Sequence, residues 1–130
     1  MVVMVKSFPV LIGFLFLSSS AFAQSYSNFD ICKAAISTEM SRKVKTMKIL
    51  KSDSEMPQIE YKRNDGDKFK YQCMFEGNKV IWRGYFSYGW GRWRNTDSND
   101  SEIIFAVKNG TLEIYNSSTG NTYKFNRKDF

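Results

Sequence analysis

Lysine, arginine and large aromatic side chains interleave between Lys68 and Arg94, and that mixture suits one kind of chemistry: gripping an anion beside a flat apolar surface. The densest part is WRGYFSYGWGRWRN, Trp82 to Asn95. Aromatic rings stack on sugars or bases, while guanidinium groups pair with phosphate or carboxylate. The residues that carry this reading are Lys68, Lys70, Arg83, Tyr85, Trp90, Arg92 and Arg94. Two other readings stand beside it. Tyr, Trp and Arg are also the residue types of protein-interface hot spots, and a small domain needs large aromatics simply to fill its core.

Catalytic chemistry is poorly supplied. The chain has 0 His, which removes Ser-His-Asp and Cys-His arrangements and histidine-based zinc sites. Asp97, Asp100 and Glu102 follow the aromatic run, but they read as a polar turn and strand entry. DSNDSE, Asp97 to Glu102, lacks the glycine and the length of an EF-hand calcium loop. The expectation is a non-catalytic protein with no cofactor and no metal.

The first 23 residues read as an export signal. Lys6 gives a short basic start, Phe8 to Leu17 an apolar stretch, and Ala21-Phe22-Ala23 a small-x-small end, so cleavage is expected after Ala23. The apolar stretch is shorter than the roughly 20 residues of a membrane-spanning helix, and an integral membrane protein is not expected. Residues 24–130 then form a single domain, with no linker and no repeat. The chain has 19 Lys+Arg and 13 Asp+Glu, a net charge of +6. An exported, moderately basic domain is expected to meet an anionic glycan, a lipid headgroup or a periplasmic protein. Nucleic acid is not expected, because the address is wrong and no RNA-binding or helix-turn-helix pattern is present.

The elements that must position the basic and aromatic residues follow from periodicity. Ser27 is an N-cap candidate with Asp30 three residues on, and Phe29, Cys32, Ile36 and Met40 recur at spacings of three and four. That predicts an amphipathic helix ending near Arg42, with Cys32 facing inward. In KFKYQCMF, Phe69, Tyr71, Cys73 and Phe75 alternate with polar neighbours, so Cys73 also faces inward, on a strand. The 2 cysteines of an exported chain then form one disulfide, stapling helix to sheet and worth about 4 kcal/mol on disputed chain-entropy grounds.

Turn chemistry sets the registers. Gly77-Asn78 as a two-residue turn places Phe75 opposite Val80, Cys73 opposite Trp82, Tyr71 opposite Gly84 and Phe69 opposite Phe86. A three-residue loop at Asn64 to Gly66 pairs Tyr61 with Phe69, and Asn109-Gly110 pairs Val107 with Leu112. Six strands result, at about residues 57–63, 67–76, 79–86, 101–108, 111–116 and 121–126. The fold class is α+β: an N-terminal helix, disulfide-linked to a curved antiparallel sheet or partial barrel. Trp82 and Phe86 then point inward, and Arg83 and Tyr85 outward. A short extra strand at Trp90 to Arg94 would put Trp90, Arg92 and Arg94 on one face and bury Trp93. The sequons at Asn99, Asn109 and Asn116 read as turn chemistry.

ICKAAIS, YKRNDGDKFKYQCMFEGNKVIW and GRWR resemble segments of small exported proteobacterial proteins of unassigned activity. That resemblance implies a periplasmic address and a Cys32–Cys73 bridge, and it assigns no catalytic or ligand residue. The cysteine-bearing β domain is also similar, more loosely, to periplasmic lysozyme inhibitors through SSTGNTY, although an inhibitor of a basic lysozyme calls for an acidic surface. The function expected is a binding module for an anionic envelope component; the alternative is an accessory or inhibitory factor using the same aromatic loop on a protein.

Overall fold

The computed structural model describes residues 25–130 apart from residue 52; the expected signal segment lies outside the described residues. Helix α1 spans Asn28–Met40 and opens on a capping box. The Asp30 N–H donates to Ser27 Oγ at 3.1 Å, and the Ser27 N–H donates to Asp30 Oδ2 at 3.0 Å. It stops two residues before the expected end near Arg42 because Ser41 adopts a left-handed conformation, φ 55°. Ile31, Cys32, Ala35 and Ile36 form its buried side, a broader stripe than the sequence periodicity marks, with Met40 half-buried.

A 3-10 turn, Val44–Thr46, leads into a strand absent from the sequence reading, β1 (Met47–Lys51). The six expected strands follow as β2 (Gln58–Lys62), β3 (Lys68–Glu76), β4 (Lys79–Phe86), β6 (Ile103–Lys108), β7 (Thr111–Asn116) and β8 (Asn121–Phe125), with a two-residue β5 (Gly89–Trp90) before β6 where the sequence allows an extra strand at Trp90 to Arg94. They form a curled antiparallel half-barrel in the order β1-β2-β3-β4-β6-β7-β8, with β5 against β4. The helix packs on its inner side, and Cys32 and Cys73 are joined with their Cα atoms 5.8 Å apart.

The registers set by turns are as expected: Tyr61 faces Phe69, Phe75 faces Val80, Cys73 faces Trp82, and Val107 faces Leu112. Each depends on a glycine with positive φ, Gly66 at 96°, Gly77 at 62° and Gly110 at 80°. The Phe69–Phe86 pair does not form. β4 folds back into β5 at its end, Phe86 faces Gly89, and the Phe86 side chain, though over Gly84 on the same face as Trp82, is 47% exposed instead of buried.

One joint in the sheet is thin. β4 and β6 share a single ladder pair, Lys79 with Ile104, supplemented by the Phe105 N–H donating to the Asn78 carbonyl at 2.9 Å. Beyond it the two strands part, and the buried Asn95 side chain fills the split. Its Nδ2 donates to the carbonyls of Val80 (2.8 Å) and Ile103 (3.3 Å), so one amide links both sides. Helix α1 also spans the joint. Its disulfide holds β3, while Asn116 on β7 donates to Thr38 Oγ1 (3.1 Å) and Glu39 Oε1 (2.9 Å). Asn116 is therefore a fully buried docking residue and more than a turn-former.

Candidate functional site

The chain from Gly89 to Arg94 runs along the edge of β4 that β6 leaves open. Tyr85 pairs with Trp90, the Gly91 N–H donates to the Gly84 carbonyl at 2.8 Å, and Trp82 pairs with Arg94 through backbone bonds in both directions. Four steps from Trp90 to Arg94 thus oppose three from Tyr85 to Trp82. The extra residue is a β-bulge, which reverses the inside-outside alternation beyond it. Trp93, expected to be buried, is turned onto the same face as Arg83 and Trp90.

A packed row of cations and rings results. The Arg83 guanidinium carbon lies 4.8 Å from the Trp90 ring centroid and 4.2 Å from that of Trp93. Lys70 Nζ lies 4.0 Å from the centre of Tyr85 and 5.4 Å from that of Trp90, and Tyr85 and Trp90 meet edge to face at 5.1 Å. Arg83 is held in place by a fork: Nε and Nη2 both donate to Gln72 Oε1, at 2.9 and 2.7 Å. Gln72 is itself buried and donates to the Met56 carbonyl at 3.4 Å.

Charge balance on this face is one-sided. Glu60 sits cross-strand from Lys70 but pairs with Lys48 at 3.7 Å. Among the described residues, neither Lys70 nor Arg83 forms an ion pair with a carboxylate. Ring quadrupoles and an amide oxygen hold both cations without cancelling their charge. The face can therefore still offer two positive groups and three ring surfaces to an anion.

The remaining residues of the sequence reading are placed elsewhere. Arg92, at the bulge, is bound to Asp100 by two hydrogen bonds, one of them from Nη1 to Oδ2 at 3.1 Å. The same carboxylate accepts the backbone N–H groups of Asn95 (3.0 Å) and Thr96 (3.1 Å). The Arg92 guanidinium and these N–H groups hold Asp100 well below the usual carboxylate range. Asp100 thus organises the loop that its sequence context marked only as a polar turn. Arg94 points toward the inner side, where a cavity of about 500 Å³ is lined by Met40, Tyr71, Trp82, Phe86 and the chain around Lys68. Lys68 is exposed, opposite Lys62 at the strand ends. Trp90, Arg92 and Arg94 therefore do not share a face, because the bulge intervenes. Gln72 and Trp93 belong to the row, and neither was marked as a site residue by its sequence context.

On the reverse of the β4–β5 hairpin, Phe86 covers Gly84 and Gly91 and stacks on Tyr88 at 5.4 Å, 18° between planes. Tyr88 is 77% exposed. Inside the barrel, burial and a hydrogen bond with Tyr61 push the Tyr71 hydroxyl up, so it stays protonated. Among the described residues, no group of three or more His, Cys, Asp or Glu side chains is placed to hold a metal, and no helix is long and apolar enough to cross a membrane. No protein family, curated protein or solved structure matches the chain.

Proposed function

We propose that this protein is a non-catalytic, exported binding module for an anionic envelope component, taken on the outer face built from Lys70, Arg83, Tyr85, Trp90 and Trp93. The observation that carries the reading is the pair of cations held over aromatic rings with no carboxylate partner among the described residues. The ligand chemistry is a phosphate or carboxylate beside a sugar ring or glycerol backbone: the anion pairs with Lys70 and Arg83, and the ring or backbone lies on Trp90. A disulfide between buried positions supports an oxidising compartment.

The test is a salt-series titration of residues 24–130, followed by tryptophan fluorescence, against lipopolysaccharide, phosphorylated glycan fragments and vesicles containing anionic lipid. Saturable binding that weakens with salt and is lost in Lys70→Ala/Trp90→Ala supports the proposal. Preference among the three probes separates glycan from headgroup. Undiminished binding in the double variant removes this face from consideration.

The accessory-factor reading is favoured by a different observation, the exposed Phe86–Tyr88 stack at the hairpin tip. Aromatic tips of this kind anchor protein partners. A complex captured from periplasm that survives moderate salt and is lost in Tyr88→Ala would select it.

A further inference from the structure

A second basic site lies at the C-terminal end of the helix. Where α1 stops, the chain through Val44 runs beside β8, the last strand of the sheet, leaving a cleft of about 750 Å³. Its rim carries Arg42, Lys43, Lys45, Lys124 and Lys128. Among the described residues, the one carboxylate there, Asp129, accepts the Asn126 N–H at 2.8 Å and caps the terminal 3-10 turn. Among the described residues, none of the five cations forms an ion pair; Lys124 faces Glu113 in the ladder, but Glu113 pairs with Lys108 at 3.9 Å. The cleft shares no residue with the cation-aromatic face.

Ordinary structural roles account for part of this cluster. Arg42 lies 5.2 Å over the Tyr61 ring, and cations near a helix C-terminus favour its dipole. Lysine on an edge strand such as β8 discourages strand addition. Neither role explains Lys45 and Lys128, which belong to two different 3-10 segments and converge on the same hollow. Five like charges around one concavity repel each other, and a bound anion relieves that repulsion. The floor is different in kind: Val44, Tyr123 and Phe125 line it with apolar surface. The volume falls within the roughly 300–1,000 Å³ of small-molecule sites.

We propose that this cleft binds an amphiphilic organic phosphate, with the phosphate among Lys45, Lys124 and Lys128 and the apolar body on Val44, Tyr123 and Phe125. An anion without an apolar body would leave the floor unused, and an uncharged amphiphile would leave the rim unpaired.

Calorimetric titration of residues 24–130 with three probes tests this: dodecyl phosphate below its micellar concentration, inorganic pyrophosphate, and dodecyl maltoside. Dodecyl phosphate should bind about tenfold or more tightly than pyrophosphate, the gain expected from burying about two methylene groups. Dodecyl maltoside should not bind. Lys45→Gln/Lys124→Gln/Lys128→Gln, all solvent-exposed changes, should keep the native circular dichroism and lose dodecyl phosphate at least tenfold. Phe125→Ala should weaken dodecyl phosphate and leave pyrophosphate unaffected. Lys70→Ala/Trp90→Ala should change nothing. Equal affinity for the two phosphates, unaltered binding in the triple variant, or loss of binding in Lys70→Ala/Trp90→Ala would each overturn the assignment.

Discussion

Arg83 and Trp93 touch because strand pairing slips by one residue between them: the guanidinium carbon lies 4.2 Å from the ring centroid, beyond a bulge that carries Trp93 to the outer face. The sheet sets the position of Arg83, and the bulge brings Trp93 to it. Between them, Gln72 fixes the direction of the fork.

Replacing Gln72 with leucine should release that fork. The amide oxygen accepts two bonds from a cation, and hydrogen bonds to charged groups contribute about 1.5–3 kcal/mol each, less where solvent competes. Urea denaturation should show a loss of about 1–2 kcal/mol, since Arg83 is half-buried. Arg83→Lys should not recover the wild-type tryptophan fluorescence, because a point charge lacks the planar fork.

Asn95 combines a positive φ of 73° with a buried amide that closes the split in the sheet. Asn95→Ala loses both hydrogen bonds and strains the backbone, while Asn95→Gly loses only the bonds. Both should destabilise, and alanine should be the worse by about 1 kcal/mol. Thermal melts of the two variants order them directly; glycine at or below alanine would show that the backbone conformation contributes nothing.

Asp100 gives the loop a defined acid dependence. Its carboxyl titrates below the ordinary range in the folded protein and near 3.9, the approximate reference value, when unfolded. The unfolded chain therefore takes up this proton first as pH falls. The stabilisation is complete above the unfolded value and declines as pH drops from about 4 toward the lower folded value. Asp100→Asn should be less stable than wild type at neutral pH, with the gap narrowing below about pH 4. Stability measured by urea at pH 7 and at pH 3 checks the sign.

Gly91 is small for a steric reason. A Cβ there would stand 2.7 Å from Phe86 Cε2. Gly91→Ala should push the Phe86 ring off its glycine bed, break its stack with Tyr88 and cost about 1 kcal/mol. The near-ultraviolet circular dichroism should change while the far-ultraviolet signal does not, since the ring, and not the strand, has to move.

Sequence alone gave access to those parts of the fold that glycines and alternation determine. Gly66, Gly77 and Gly110 fixed loop lengths, so the pairings of Tyr61, Phe75 and Val107 and the inward aim of both cysteines followed. β1 was hidden because Met47 and Ile49 lie inside a lysine-rich run that reads as a solvated tail. Phe86 was paired with Phe69 in error because β4 changes neighbours along its length, which alternation cannot express. At the candidate site, Lys70, Arg83, Tyr85 and Trp90, read as outward or loop residues, are brought together by the fold. Trp93 was lost to the bulge, since one inserted residue has no compositional mark, and Arg92 to a carboxylate five residues past Asn95. Asn116 looked like a turn-former, and Asn95 carried no mark at all, because burial, which determines their roles, depends on the whole fold.

The thin joint between β4 and β6 gives the Cys32–Cys73 bond a role in cooperativity. With it closed, α1 is fastened to the β1–β4 half through sulfur and to the β6–β8 half through Asn116, so each half can open only with the other. Amide exchange across both halves should then report one opening free energy. With the bond reduced, hydrogen bonds at Asn95, Asn28 and Phe105, one ladder pair and packing keep the halves together without a covalent tie, and the single unfolding step should separate into two. The redox state of one cysteine pair would thus decide whether this chain behaves as one foldon or two.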